Sequence, residues 1–446
     1  MKFRVSFPIR SWKAKLVIPG AAVAFIFGSG SFLSAEPIDE KSVTTEQTKA
    51  PPPGFWDQQY MLGDWGGERT KLEEEGVKFD INDIGDFLTD VSGSQTHHAT
   101  YFGRFRVGVD LDLNKLVGVD AEFYATAIYQ YGRNLSGDNL HTNTLTSSIA
   151  GEESERLDQF WYKQYLADHK MAITVGQIAT VNEFGATDFF DILFNDELGY
   201  APNALFSTHQ PFSPAGKPGV VVWGDLSDIT PGLYVKAGAF TDAPDPYRPD
   251  RYGVDYNDDF DHGLAAAFEV GYKEQKTSYD GVYKVGVNAD SGFYTNPATG
   301  QVYHGDLNVY GIAEKTVYHP IGQDGKLDTK KGLDLLAEFV GAPGDRNALQ
   351  YEFTMGGRYS GLIPGRDNDK VGFGLIYSDN GDAFSDASQN AGGPGLVGET
   401  TLELDYQFNP APWLSIQPDV QYIIDPSGIQ GRDNIAVLGL RTIVHF

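Results

Sequence analysis

Acidic and basic side chains recur in this chain at positions from which they could face one another across a narrow passage. Residues 178–218, the longest interval without strand patterning, hold Glu183, Asp188, Asp191, Asp196 and Glu197. Arg104, Arg106, Arg358 and Arg441 sit in alternating segments elsewhere, each on the parity of its polar neighbours. Carboxylates opposed to guanidinium groups across a water-filled gap set up a transverse field. Such a field orders water, and a neutral solute rich in hydroxyls replaces that water better than an apolar solute does. Recognition of such a solute also wants an aromatic face for its C–H groups, with polar groups around the rim. Asp158-Gln159-Phe160-Trp161-Tyr162-Lys163 offers one: if Phe160 and Tyr162 point outward, then Gln159, Trp161 and Lys163 point inward. Glu122 and Tyr124 share the inward parity in residues 119–131. The blander alternatives are a solvated loop for the acids and interface-girdle aromatics for Trp161 and Tyr162.

These groups need a wall of strands. Leu402, Leu404, Tyr406 and Phe408 alternate with Glu403, Asp405 and Gln407, a period-two pattern with one apolar face. The last twelve residues repeat it, with Val444, Thr442, Leu440, Leu438 and Ala436 on the parity of Phe446 and Arg441 on the other. A final aromatic closing such a strand is how bacterial outer-membrane barrels end. About sixteen such segments follow residue 77, and their connections alternate between short and long. That pattern predicts an all-β fold: a transmembrane antiparallel β-barrel of about 16 strands over residues 77–446. The exceptions are a longish presumed turn at 320–331 and a short presumed loop at 342–348. A soluble sandwich would also alternate, but it would keep its Phe, Tyr and Leu faces inside.

Ahead of the barrel, residues 1–35 carry five bases, an interrupted apolar run and small residues ending Leu33-Ser34-Ala35. They read as a signal peptide, too short for a comfortable spanning helix. Residues 36–61 read as a flexible lead. Residues 62–76 read as a short helical segment on the periplasmic side, capped by Gly76.

Composition narrows the function. The chain has 446 residues, 52 Gly, 28 Phe, 24 Tyr and no Cys, which suits many short strands and removes thiolate chemistry. Its mean hydropathy of −0.32 excludes a helical membrane protein but not a barrel, whose strands are apolar on one face only. A net charge of −27 repels nucleic acid. The same acidity suits solubility and calcium-bridged contact with anionic outer-membrane lipid such as lipopolysaccharide. The nine His show no metal-ligand spacing, and no nucleophile or phosphate-loop motif is present. Glu152, Glu153 and Glu155 are adjacent acids rather than a pair placed across a cleft. Neither an enzyme nor a cofactor is expected. Seven Asp against two Arg in residues 242–261 fit a solvated loop or calcium ligands.

Leu62-Gly63-Asp64-Trp65-Gly66-Gly67, followed by Arg69-Thr70 and a helix ending Glu75-Gly76, resembles the N-terminal motif of the OprB carbohydrate-selective porins. Gly132-Arg133-Asn134-Leu135-Ser136, Asp158-Gln159-Phe160-Trp161-Tyr162, residues 417–426 and residues 434–441 extend the resemblance to Phe446. It implies a sixteen-stranded outer-membrane barrel passing mono- and small oligosaccharides by facilitated diffusion, as a monomer or homo-oligomer. It also implies that residues 63–67 form a plug-like periplasmic element. One departure is Gly176-Gln177, where the family often has Gly followed by a base. The competing expectations are a general or cation-leaning porin, and an enzyme or adhesin mounted on a barrel.

Overall fold

The computed structural model describes residues 53–94, 97–187, 192–197, 207–242, 252–256, 263–274, 279–322 and 324–446. The expected signal peptide, most of the lead, Asp188 and Asp191, and much of the acidic stretch at 242–261 lie outside the described residues.

Sixteen strands follow one another from Val77. They are β1 (Val77–Ser92), β2 (Ala99–Asp112), β3 (Ala121–Gly132), β4 (Ser154–Leu166), β5 (Met171–Ile178), β6 (Lys217–Asp225), β7 (Leu233–Thr241) and β8 (Leu264–Lys273). The second half comprises β9 (Gly281–Thr295), β10 (Val302–Tyr318), β11 (Gly332–Gly341), β12 (Leu349–Ser360), β13 (Lys370–Asn380), β14 (Glu399–Ala411), β15 (Leu414–Ile424) and β16 (Ile435–His445). Each pairs antiparallel with its neighbours in sequence, and β1 pairs with β16 to close the barrel. Closure leaves no edge strand, as a hydrocarbon surround requires.

Side-chain polarity is inverted relative to a soluble protein. Phe87, Tyr129, Phe160, Val175, Phe268, Phe353 and Leu404 are exposed on the outer face. Asp86, Gln130, Glu269, Glu338, Glu403 and Arg441 are buried inside. A sandwich would bury the first set, so the barrel reading of the alternation holds. β10 starts at Val302, earlier than its apolar run suggests, because a bulge at Gly305 lets the pairing continue past a register shift.

Among the described residues, two connections contain α-helices that the sequence did not announce. Asp112 caps α2 (Leu113–Val117), taking the amides of Asn114 at 3.0 Å and Lys115 at 3.1 Å. α3 (Asp382–Asn390) fills part of the β13–β14 loop.

The N-terminal motif is a clasp on the short-turn rim. Asp64 Oδ1 accepts from the backbone and hydroxyl of Thr70, both at 2.8 Å. α1 (Glu68–Glu75) then ends at Gly76, which is left-handed and returns its N–H to the carbonyls of Leu72 and Glu73. This turn aims Arg69, which is fully buried, at the seam between the first and last strands. Its guanidinium donates to the main-chain oxygens of Phe446 at 2.6 Å and Phe79 at 3.2 Å, and stacks 3.2 Å from the Tyr60 ring. Phe446 N–H in turn donates to Ile81 at 2.9 Å, and Met61 N–H to His445 at 2.8 Å.

Arg69→Ala is expected to lower barrel stability by about 2 kcal/mol, because it strips charged donors from two part-buried main-chain oxygens and removes the stacking on Tyr60. Urea unfolding in lipid vesicles measures this. An unchanged midpoint would mean that the clasp is ornamental.

Candidate functional site

The β5–β6 loop crosses the inside of the barrel. Ile178 and Phe184 pack with Val221, Phe240, Ala265 and Ala267 on β6 to β8. Ile192 and Leu193 pack with Tyr310, Ile312, Leu336, Val340 and Ile376 on β10 to β13. Phe194 reaches Leu88, Ile423, Ile435 and Val437 on β1, β15 and β16, joined there by Leu135 and Leu140 of the β3–β4 loop. β7 and β15 are eight strands apart in a ring of sixteen, so one loop touches opposite walls.

A loop folded inward must have its backbone groups satisfied, and wall side chains do this. Glu403 accepts from the amides of Phe194 and Asn195, the latter at 3.1 Å. Glu399 accepts from Asn143 at 3.0 Å and Thr144 at 3.2 Å in the β3–β4 loop. Glu269 takes the Gly185 amide at 3.0 Å and the hydroxyls of Tyr234 and Tyr310 at 3.1 and 2.9 Å. Gln417 donates to the Ile192 carbonyl, and Gln421 to Thr146 at 2.9 Å. These wall acids are legible in the sequence as a polar face. Their loop partners, about two hundred residues away in sequence for Glu403, carry no local signal.

Arg441 belongs to the same scaffolding. It forms a two-pronged ion pair with Asp86, both contacts at 2.7 Å, lies 4.2 Å from the Phe194 ring and donates to Ser148 at 3.1 Å. Arg358 stands apart from it, paired with Asp334 at 2.7 Å and lining a cavity near the short-turn rim. Arg104 and Arg106 lie inside on β2, and with Arg156 they surround the buried Asp158, which accepts from Ser213 at 2.8 Å. Among the described residues Arg106 has no hydrogen bond or ion pair, only its electrostatic interactions with Asp158 and Tyr124.

Four of the expected residues come together on β3 and β4. The rings of Tyr124 and Trp161 are 5.2 Å apart and tilted by 30°. Lys163 Nζ is 4.8 Å from the Trp161 ring and 3.9 Å from Glu122, which also accepts from Tyr165 at 2.6 Å. Phe160 and Tyr162 point outward, 48% and 38% exposed. Beside this ledge lies a cavity of about 490 Å³ lined by Lys163, Glu183, Trp223, Lys236 and Lys273. Glu183 pairs there with Lys236 at 3.4 Å. Gln159 is buried at the root of the inserted loop, where it accepts from Ala179 at 3.5 Å.

The Gly176-Gln177 departure has a local reason. β4 bulges at Asp158, and Gln177 donates to the freed carbonyls of Leu157 at 2.7 Å and Asp158 at 3.0 Å. Its Oε1 accepts from Tyr256 at 2.6 Å, which a lysine or arginine side chain could not do. Gly176 has φ 146, and a Cβ there would stand 2.3 Å from the Phe160 oxygen, so only glycine fits.

Glu197, in the inserted loop, is buried against other acids. Its carboxyl is pushed well above the usual range by burial and then by Glu352, Asp196 and Glu338. A raised folded value means that docking of this loop is strongest at low pH. That docking weakens as pH rises from the free-carboxyl value toward the raised one. Glu197→Gln is expected to flatten this decline in thermal midpoint between acid and neutral pH. A variant that declines as steeply as wild type would remove Glu197 from the linkage.

Comparison with known proteins places this geometry. Residues 96–446 match the family model described as carbohydrate-selective porin, OprB family. Porin B of Pseudomonas aeruginosa is 24% identical over 430 residues, covering 86% of this chain and 90% of that one. The high-pH structure of Pseudomonas putida OprB covers 88% of this chain and 100% of its own at a TM-score of 0.80 and 24% identity. The low-pH structure of the same protein superposes at 0.56 and 20% identity, covering 87% and 99%. With its closed sixteen-strand wall, inward-folded loop and a family match spanning most of its length, the chain belongs to the OprB family of carbohydrate-selective porins of the outer membrane.

Proposed function

We propose that small neutral sugars diffusing through this porin are selected at the Tyr124–Trp161 ledge, with Glu122, Lys163 and Arg106 supplying polar groups around it and buried Gln159 holding the root of the inserted loop behind it. Glu183, paired to Lys236, bounds the passage from the inserted loop. Juxtaposed rings with an ammonium and a carboxylate at their rim carry the reading. The ring faces attract the weakly positive C–H side of a pyranose, while its hydroxyls exchange water for the charged groups. Arg358 and Arg441, each committed to an aspartate, contribute field rather than direct contact. Residues 1–35 act as a cleaved export signal, residues 62–76 stay at the periplasmic rim, and the exposed apolar belt meets outer-membrane lipid.

The acidic composition favours a second reading, a cation-leaning porin. One observation supports it: Glu403, Asp405 and Asp419 are buried side by side on the inner wall. The cavity beside the ledge opposes it, with Lys163, Lys236, Lys273 and Lys284 against Glu183 and Asp225.

In planar bilayers the protein is expected to form ohmic channels whose current millimolar neutral sugar blocks; sugar-insensitive channels with a strong cation reversal potential would favour the second reading. Trp161→Ala should weaken sugar block at least about tenfold while changing ion conductance less than twofold, a loss of about 1.4 kcal/mol of binding. Equal changes in both would reduce Trp161 to packing. N-terminal sequencing of protein purified from outer membranes should begin at Glu36.

A further inference from the structure

Where the inserted loop returns to the wall, His209 meets Asp242 at the end of β7 and Asp290 on β9. His209 Nδ1 lies 3.3 Å from Asp242 Oδ1 and 3.1 Å from the Tyr294 hydroxyl, and the two rings stack at 4.6 Å. Tyr294 donates its hydroxyl hydrogen bond to Asp290 Oδ2, so Nδ1 faces oxygens on both sides. A proton on Nδ1 can serve only one of them at a time. Asp242 is 2% exposed, and among the described residues His209, at 3.3 Å from Oδ1, is the one group that reaches its carboxylate, leaving Oδ2 without a hydrogen-bond donor. A buried carboxylate with one oxygen unpaired and the other shared with an imidazole is costly, and a cation is what would offset it. Arg346 is committed to Asp345 at 2.8 Å and lies 3.9 Å from Asp306.

Gly292 adds an independent observation. Its backbone does not require glycine, since it is absent from the positive-φ positions. Yet a Cβ there would stand 2.8 Å from Asp242 Oδ2, 3.0 Å from Asp290 Oδ1 and 3.2 Å from His209 Nδ1. The missing methyl therefore leaves a small space bounded by one nitrogen and two carboxylates. A tetrahedron with metal–ligand bonds of about 2.0–2.1 Å has edges of about 3.3 Å, which matches the His209–Asp242 separation.

We propose that His209, Asp242 and Asp290 bind one divalent metal ion of the zinc class, which fastens the returning limb of the inserted loop to β7 and β9. Imidazole with two carboxylates suits zinc better than calcium, which prefers a larger shell of oxygens. The ligands come from separate elements, so no spacing motif marks them in the sequence.

Calorimetric titration of the full protein in detergent, stripped with EDTA, tests this with zinc and calcium chlorides. One equivalent of zinc should bind, and calcium should bind much more weakly. Asp242→Asn and Gly292→Ala should each weaken zinc binding at least about tenfold while heat-modifiable migration shows an intact barrel. Should Gly292→Ala fail to fold, His209→Gln carries the same expectation. No zinc uptake by wild type, variants that bind as wild type does, or calcium bound as tightly as zinc would each overturn the site.

Discussion

The fold depends on the pairing of β1 with β16. In hydrocarbon, an unpaired strand amide or carbonyl has no water to turn to, so a sheet of this size must close completely. Closure fixes everything inside it. Once the ring is complete, each strand commits one parity to lipid and the other to an enclosed space. That space is wide enough to admit a loop, and it has polar walls that can hold the loop there.

Inside the ring, charge serves architecture before it serves transport. Glu403, Glu399 and Glu269 are spent on loop amides and hydroxyls, and Arg441 on Asp86 and the loop above it. This is why a chain of net charge −27 can keep a passage for neutral solutes. Much of the interior acidity is bound into hydrogen bonds, while the cavity beside Trp161 carries several lysines. The narrowing is thus set by how firmly the loop is sewn down as much as by the residues that line it.

The strands were legible because their signal is local: two residues set a parity, and a run such as Leu402 to Phe408 displays it. Trp161, Lys163, Glu122 and Tyr124 were legible as inward residues for the same reason. Their convergence, which needs the register of β3 against β4, was not. Equally hidden were Arg69, an ordinary basic residue in a charged helix, and Gln177, whose departure from the family pattern makes sense only beside the bulge at Asp158. The trio at His209 was hidden for the same reason, with ligands 33 and 81 residues along the chain from it. Sequence shows which face a residue takes, while partners across the lumen depend on closure.

The Arg69 clasp makes the two ends of the barrel sequence answerable to each other. The turn that aims this guanidinium is made by residues 64–70, translated early, yet the oxygen it reads belongs to Phe446, the last residue described. Until β16 has zipped onto β1, Arg69 has no Phe446 oxygen to seize, and the helix is held at the seam only through the Phe79 carbonyl of β1. Docking of α1 therefore acts as a completion check, a local event at one terminus that reports that the opposite terminus has arrived in register. A barrel stalled one strand short would lack the Phe446 end of the clasp, and α1 would sit on half of its seam contacts.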